Sequence, residues 1–112
     1  MVKINSFHFG SLTINNKTYD SDMMVSWDGE LMPRESSHTF SKEELMESLL
    51  KEPEIIIVGT GTAGCVKIEK DVQALARSKN VELIAKKTSE AIEEFNNTSR
   101  SKRVIAVFHV TC

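Results

Sequence analysis

Only two cysteines, two prolines, one tryptophan and one tyrosine occur among the 112 residues, and aromatic side chains make up 6% of the chain. Two thiols, Cys65 and Cys112, are too few for a disulfide scaffold. A chain with no export signal is expected to keep both reduced, although counting alone leaves a Cys65–Cys112 bond open. No apolar run approaches the ~20 residues of a membrane span, so membrane insertion is not expected. The start, Met1-Val2-Lys3-Ile4-Asn5-Ser6, shows neither a secretory h-region nor an Arg-rich presequence, and a cytoplasmic location is expected. Lysine and arginine are dispersed and the formal net charge is −2, which removes the basic face that sequence-independent nucleic-acid binding needs. Repeats, low-complexity tracts and linkers are also missing. Residues 1–112 therefore read as one domain, long enough to close a core without metal or disulfide staples.

The patterning divides the chain. Up to about Glu35 it favours β structure. Leu12 and Ile14 alternate with polar residues, and Asn15-Asn16 tolerates positive φ before Lys17-Thr18-Tyr19, which predicts a hairpin. Asp28-Gly29 separates Met24–Trp27 from Glu30–Met32 and predicts a second, closed by Pro33. Residues 34–39 read as a loop. From Ser41 helices and strands alternate. Ser41-Lys42-Glu43-Glu44 is a capping box with Phe40 and Leu45 as a staple, opening a helix to about Lys51 that buries Leu45, Met46, Leu49 and Leu50. Ile55–Val58 is an unbroken apolar run, the mark of a strand covered on both faces. A helix over about 70–79, a strand at 81–85, a helix capped by Thr88 and a last strand from Val104 follow. The predicted fold is α/β: N-terminal antiparallel β-hairpins, then α-β-α-β-α-β with a parallel sheet core, in a layered sandwich.

The chain ends on strand-like residues, Val104 to Val110, followed by Thr111 and Cys112. Ligands of open parallel sheets bind beyond the carboxyl ends of the strands. Those ends are Gly59–Gly64, Lys86-Lys87 and His109–Cys112. The candidate ligand-binding residues are therefore Gly59, Thr60, Gly61, Gly64, Lys86, His109, Thr111 and Cys112, a set suited to a small anion. Turn geometry alone also explains glycine and lysine there. Gly59-Thr60-Gly61-Thr62-Ala63-Gly64 matches the dinucleotide fingerprint in letters only. Extended chain at 65–68 separates it from the next helix, and Lys86-Lys87 stands where a ribose-binding carboxylate belongs. NAD is not expected, nor is any other cofactor. His109 and Cys112 fall on opposite faces of a regular strand and would meet only if the last residue were irregular. A carboxylate on Cys112 itself would further disfavour its thiolate, so no catalytic residue is assigned. His8, His38 and His109 have no paired ligand spacing, so no metal site is assigned. Trp27 beside Asp28-Gly29 is a candidate protein-interaction residue, although packing of the β section explains it too.

Phe9-Gly10-Ser11, Tyr19 followed by Asp22, Ile56-Ile57-Val58-Gly59-Thr60-Gly61, Thr88 with Glu90-Ala91, Phe95-Asn96 and above all Phe108-His109-Val110-Thr111-Cys112 carry a resemblance over essentially the whole chain. They resemble the small Mth-type domain of unknown function, a family of archaeal and bacterial proteins of this size that includes the animal adipogenesis-associated Mth domain-containing protein and NADH dehydrogenase (complex I) assembly factor 3. The resemblance implies a compact α/β domain and supplies no catalytic residues. The roles known for eukaryotic members are respiratory-complex assembly and regulation, and the chain shows no mitochondrial presequence.

Two functional readings follow. One is a non-enzymatic binding or assembly-helper domain with a protein partner. The other is a small anionic-metabolite-binding protein or enzyme with its pocket at the strands' carboxyl ends. The oligomeric state is not legible.

Overall fold

The computed structural model describes residues 1–112. Three short strands, β1 (Ile4–His8), β2 (Ser11–Ile14) and β3 (Lys17–Tyr19), form an antiparallel layer. Asn15 and Asn16 take φ of 50° and 67°, the positive values a two-residue hairpin turn requires. The second hairpin pairs β4 (Met23–Ser26) with β5 (Leu31–Pro33) around Asp28-Gly29. Strand β6 (Thr39–Phe40) precedes α1 (Lys42–Leu49). Then come β7 (Ile55–Gly59), β8 (Lys67–Ile68), α2 (Val72–Ser78), β9 (Glu82–Lys86), α3 (Thr88–Thr98) and β10 (Val104–Phe108). The central sheet has the order β5-β4-β10-β7-β9. Its β10, β7 and β9 are parallel, as the alternating pattern predicts, and β4 joins β10 antiparallel.

Alternation along β10 sends its residues to two cores. Val104, Ala106 and Phe108 meet the hairpin layer and α3 with Ile4, Leu12, Ile14 and Phe95. Ile105 and Val107 meet α1 and α2 with Phe40, Leu45, Ile56 and Val72. Every residue of β7 and β10 is buried, which accounts for their continuous apolar runs. No helix is long and apolar enough to cross a membrane.

Several local expectations are corrected. The sequence pattern does not single out strand β1, where Asn5, Ser6 and His8 are exposed. It is placed by pairing with β2 and by Asn96, whose side chain bonds both the amide and the carbonyl of Ile4. The loop over 34–39 ends in β6, which pairs in parallel with β8. Helix α2 starts only at Val72, since Asp71 at φ 71° interrupts the helical run. Helix α1 buries Leu45 fully and Leu49 in part, but Met46 is 49% and Leu50 80% exposed. The Ser41 hydroxyl accepts from the Glu44 amide at 3.2 Å, whereas the Glu44 carboxylate turns away to Arg34. Thr88 is the first helical residue rather than a side-chain cap.

Candidate functional site

The carboxyl ends of the parallel strands converge as their order dictates. Gly59 takes its place beneath Phe108 and Thr88, whose atoms would lie 2.9 and 3.1 Å from an added Cβ. The loop beyond it is filled by the chain's last residues. Thr62 donates to the Thr111 carbonyl at 2.8 Å, and Ala63 and Cys65 donate to the Cys112 carbonyl oxygen at 3.0 and 3.2 Å. Thr60 bonds the Lys86 carbonyl through both its amide and its hydroxyl. Gly64, at φ 76°, closes the turn back to the Gly61 carbonyl. The amides of Thr60 and of residues 62–65 are thus committed to protein carbonyl oxygens. No helix begins within the loop, since α2 follows at Val72, which agrees with the reading of the glycines as a backbone-imposed turn.

Thr88 joins these pieces. Its hydroxyl accepts from the Gly61 amide at 2.9 Å and donates to the His109 carbonyl at 2.7 Å, fully buried. Thr88→Val keeps the shape and strands both partners. A cost of about 1–3 kcal/mol is expected, read as a lower urea midpoint with an unchanged m-value.

Below the loop runs a buried polar chain. His109 is 0% and Asp22 2% exposed. His109 Nδ1 lies 2.8 Å from Asp22 Oδ2. A carboxylate only accepts, so Nδ1 carries the proton and Nε2 faces the Thr111 hydroxyl at 3.1 Å. The other Asp22 oxygen accepts from the Val110 amide at 3.0 Å. Arg34 completes the chain. One NH group donates to Asp22 at 2.7 Å, and a bidentate pair reaches Glu44 at 2.7 and 3.0 Å. Further bonds run to the Ser37 and Thr39 carbonyls. Burial opposes the guanidinium charge, but the bonds to Glu44 and then Asp22 outweigh it and raise the Arg34 pKa above its ordinary value. Four distant segments are joined here: β4's leading turn, the 34–39 segment, α1 and the irregular residues after β10.

Because Arg34 holds the 34–39 segment, His38 comes over the corner. Its ring meets that of His109 edge-on at 5.2 Å between centroids, and its Nε2 lies 3.5 Å from Cys112 Sγ. Strand β10 ends at Phe108, so the irregular residues after it let Cys112 reach the histidine side. Cys65 and Cys112 are both free thiols. The neighbouring Cys65, then desolvation, pushes the Cys112 thiol above its ordinary value, which disfavours a free nucleophilic thiolate.

On the opposite side of Arg34 a cleft of about 810 Å³ opens between β5 and α1. Its floor is Met24, Ile105 and Val107, and Met32 and Leu50 stand at its walls. Of these floor residues Met24 is half-buried, whereas Ile105 and Val107 are buried. Its two cations are already engaged: Arg34 with Asp22 and Glu44, Lys51 with Asp28 at 2.6 Å and Glu30 at 2.8 Å. The Lys51 bond and the Glu30 amide hold the exposed Asp28 carboxyl down at about 2. Glu35 and Glu47 line the cleft outside any ion pair, so its surface is anionic.

The remaining candidates lie apart. Lys86 pairs with Glu94 at 3.0 Å, pointing along α3. Trp27 is half-buried against the α1–α2 core, with Lys51 Nζ 5.4 Å from its ring centre. Asp22, Arg34, His38 and Glu44 form the corner, yet Asp22 is marked only by the resemblance, His38 only as an isolated histidine, Glu44 only as a capping-box carboxylate, and Arg34 only by following Pro33.

The family described as protein of unknown function (DUF498/DUF598) matches residues 4–109. A solved structure named MT938 is 32% identical over 100% of both chains, with a TM-score of 0.83. The conserved hypothetical protein PH1505 from Pyrococcus horikoshii OT3 is 29% identical, covers 98% of this chain and 99% of its own, and superposes at a TM-score of 0.88. A Mth938-like domain from Bordetella pertussis, solved in solution, shares the fold at 13% identity over 96% of this chain and 85% of its own, TM-score 0.69. No curated protein matches the chain.

Proposed function

The chain belongs to the DUF498/DUF598 family of proteins of unknown function, and because that family hands down no reaction we propose a function from the cleft: a non-enzymatic binding domain that docks a partner protein between β5 and α1. The supporting observation is the pairing of an apolar floor, the half-buried Met24 beside the buried Ile105 and Val107, with an anionic rim. A segment carrying apolar residues beside lysine or arginine complements it. Met32 and Leu50, 42% and 80% exposed, extend the apolar contact. Strand β5 is an edge, but it is three residues long and ends on Pro33. Both features blunt strand addition, so the partner lies across the face rather than along the edge.

The reading with a small anion at Gly59–Gly64, Lys86 and His109 has less support. The loop amides already hold protein oxygens, and the Lys86 ammonium already holds Glu94.

A benzophenone amino acid at Met32 tests the docking in living host cells. One dominant adduct is expected, on a peptide with basic and apolar residues, and its yield should fall in Glu47→Lys. An adduct pattern matching that from Phe9, exposed on the hairpin layer, or a yield indifferent to Glu47→Lys, contradicts it.

A further inference from the structure

His38, His109 and Cys112 each offer one donor atom, and these three atoms lie within 4.8 Å of one another. They arrive from three places: the segment Arg34 anchors, the end of β10 and the residues clamped by the glycine loop. We propose that this cluster, with Cys65 as fourth donor, is a tetrahedral site for a thiophilic divalent cation of the Zn²⁺ type.

The donors suit such an ion. Two imidazoles and two thiols are a borderline-soft set that excludes Mg²⁺ and Ca²⁺, which take oxygen. With metal–nitrogen bonds of about 2.0–2.1 Å and metal–sulfur bonds of about 2.3 Å, a tetrahedral N···S edge is about 3.5–3.6 Å. His38 Nε2 and Cys112 Sγ already stand 3.5 Å apart. The Cys65 amide donates to the Cys112 carbonyl oxygen at 3.2 Å, which sets the fourth donor's backbone beside the third.

The outer shell is also built. Metal-bound histidines donate their second N–H to a carboxylate or carbonyl, which fixes the ring. His109 does this toward Asp22, itself fixed by Arg34 and the Val110 amide. Its Nε2 faces only the Thr111 hydroxyl, on a half-buried side chain that can turn aside. His109 is fully buried, whereas His38 is exposed and Cys112 half-buried. Closure therefore needs rotation of the two outer side chains about a fixed inner ligand. Backbone bonds hold their main chains in place: Lys67 donates to the His38 carbonyl at 2.8 Å, and Ala63 and Cys65 to that of Cys112.

Titrating the thiol-reduced protein with Co²⁺ alone tests the site. One equivalent is expected to give the intense visible bands of tetrahedral Co²⁺ and thiolate charge transfer in the near ultraviolet, both erased by Zn²⁺. Outer-shell partners alone are worth about 10–100-fold in metal affinity, so His38→Ala and Cys112→Ser should each weaken binding by more than about 100-fold. His38→Ala removes an exposed side chain and leaves the core intact. Cys65→Ser should reduce the charge-transfer intensity. Weak octahedral bands without charge transfer, or wild-type affinity in His38→Ala, would overturn the site. An unaltered spectrum in Cys65→Ser would overturn the fourth ligand.

Discussion

Asp22→Ala is expected to lower stability by about 3–5 kcal/mol, the cost of removing one partner from a buried charged network. Asp22 engages three groups at once: Arg34, the His109 ring and the Val110 amide. Alanine orphans the last two and leaves Arg34, with only 6% of its side chain exposed, dependent on Glu44. For a domain of this size that corresponds to a fall in Tm of roughly 12–25 °C. Asp22→Asn retains shape and one acceptor, so its loss should be smaller, and the difference between the two variants isolates the charge. Glu44→Gln should cost less than either, because the Glu44 side chain is 26% exposed and water can replace part of the pairing. Urea denaturation of the three variants checks this ranking. Equal losses for Asp22→Ala and Glu44→Gln would mean the buried chain is not anchored at Asp22.

Gly61→Ala should be comparably severe for a different reason. Gly61 sits at φ 103°, and an added Cβ would fall 2.3 Å from both the carbonyl carbon and the oxygen of Cys112. The conformation alone costs a non-glycine residue about 1–2 kcal/mol. The backbone clash can be relieved only by moving the last residues away, which breaks the bonds from Thr62, Ala63 and Cys65 at about 0.5–1.5 kcal/mol each. A total loss of about 3–5 kcal/mol is expected. Gly29 is the control: its φ is 94°, but nothing lies within 4 Å of its added Cβ, so Gly29→Ala should show the conformational cost alone. Hydrogen exchange locates the damage. Gly61→Ala should lose amide protection at Thr62, Ala63 and Cys65 while β7 and β10 stay protected, and retained protection at the loop would contradict the account.

These two positions differ in how far their chemistry could be read from the chain. Gly61 lies in a glycine-rich turn after an apolar strand, and local pattern suffices to mark it as a backbone-imposed turn. Its close neighbour, the Cys112 main chain, is 51 residues away, and no periodicity reports it. Strands β7 and β10 were legible because buried strands are continuous apolar runs, and the edge strand β9, with only Leu83 buried, from its place between two helices. Strand β1 was not, because only Ile4 of its five residues is fully buried and its place comes from β2 and Asn96. Helix α1 shows the same limit. Its apolar residues exceed those the core takes up, and of the exposed remainder Leu50 stands at the cleft.

The corner itself was half legible. His109 and Cys112 stand out by residue type, and the break in alternation that lets them meet follows from β10 ending at Phe108. Asp22, Arg34 and His38 belong to loops and edges where charged and polar residues are ordinary. Only long-range packing distinguishes them, since the His109–Asp22 bond spans 87 positions. Glu44 is the instructive case. The capping-box spacing is met, and the Ser41 half of the box forms, yet a buried guanidinium offers the carboxylate a bidentate charge-assisted pair that a single backbone amide cannot match.

Docking of a partner in the cleft between β5 and α1 is the proposed function of this protein. Native mass spectrometry of the protein isolated gently from its own host, beside the double variant Met32→Lys/Leu50→Lys, tests it most directly. Both positions are exposed, so the fold should survive, while the added cations repel a basic segment and remove the apolar contact. The account predicts a stoichiometric protein partner on the wild type that is lost from the double variant. A partner retained in full by the variant, or a small-molecule adduct with no protein partner, would contradict it.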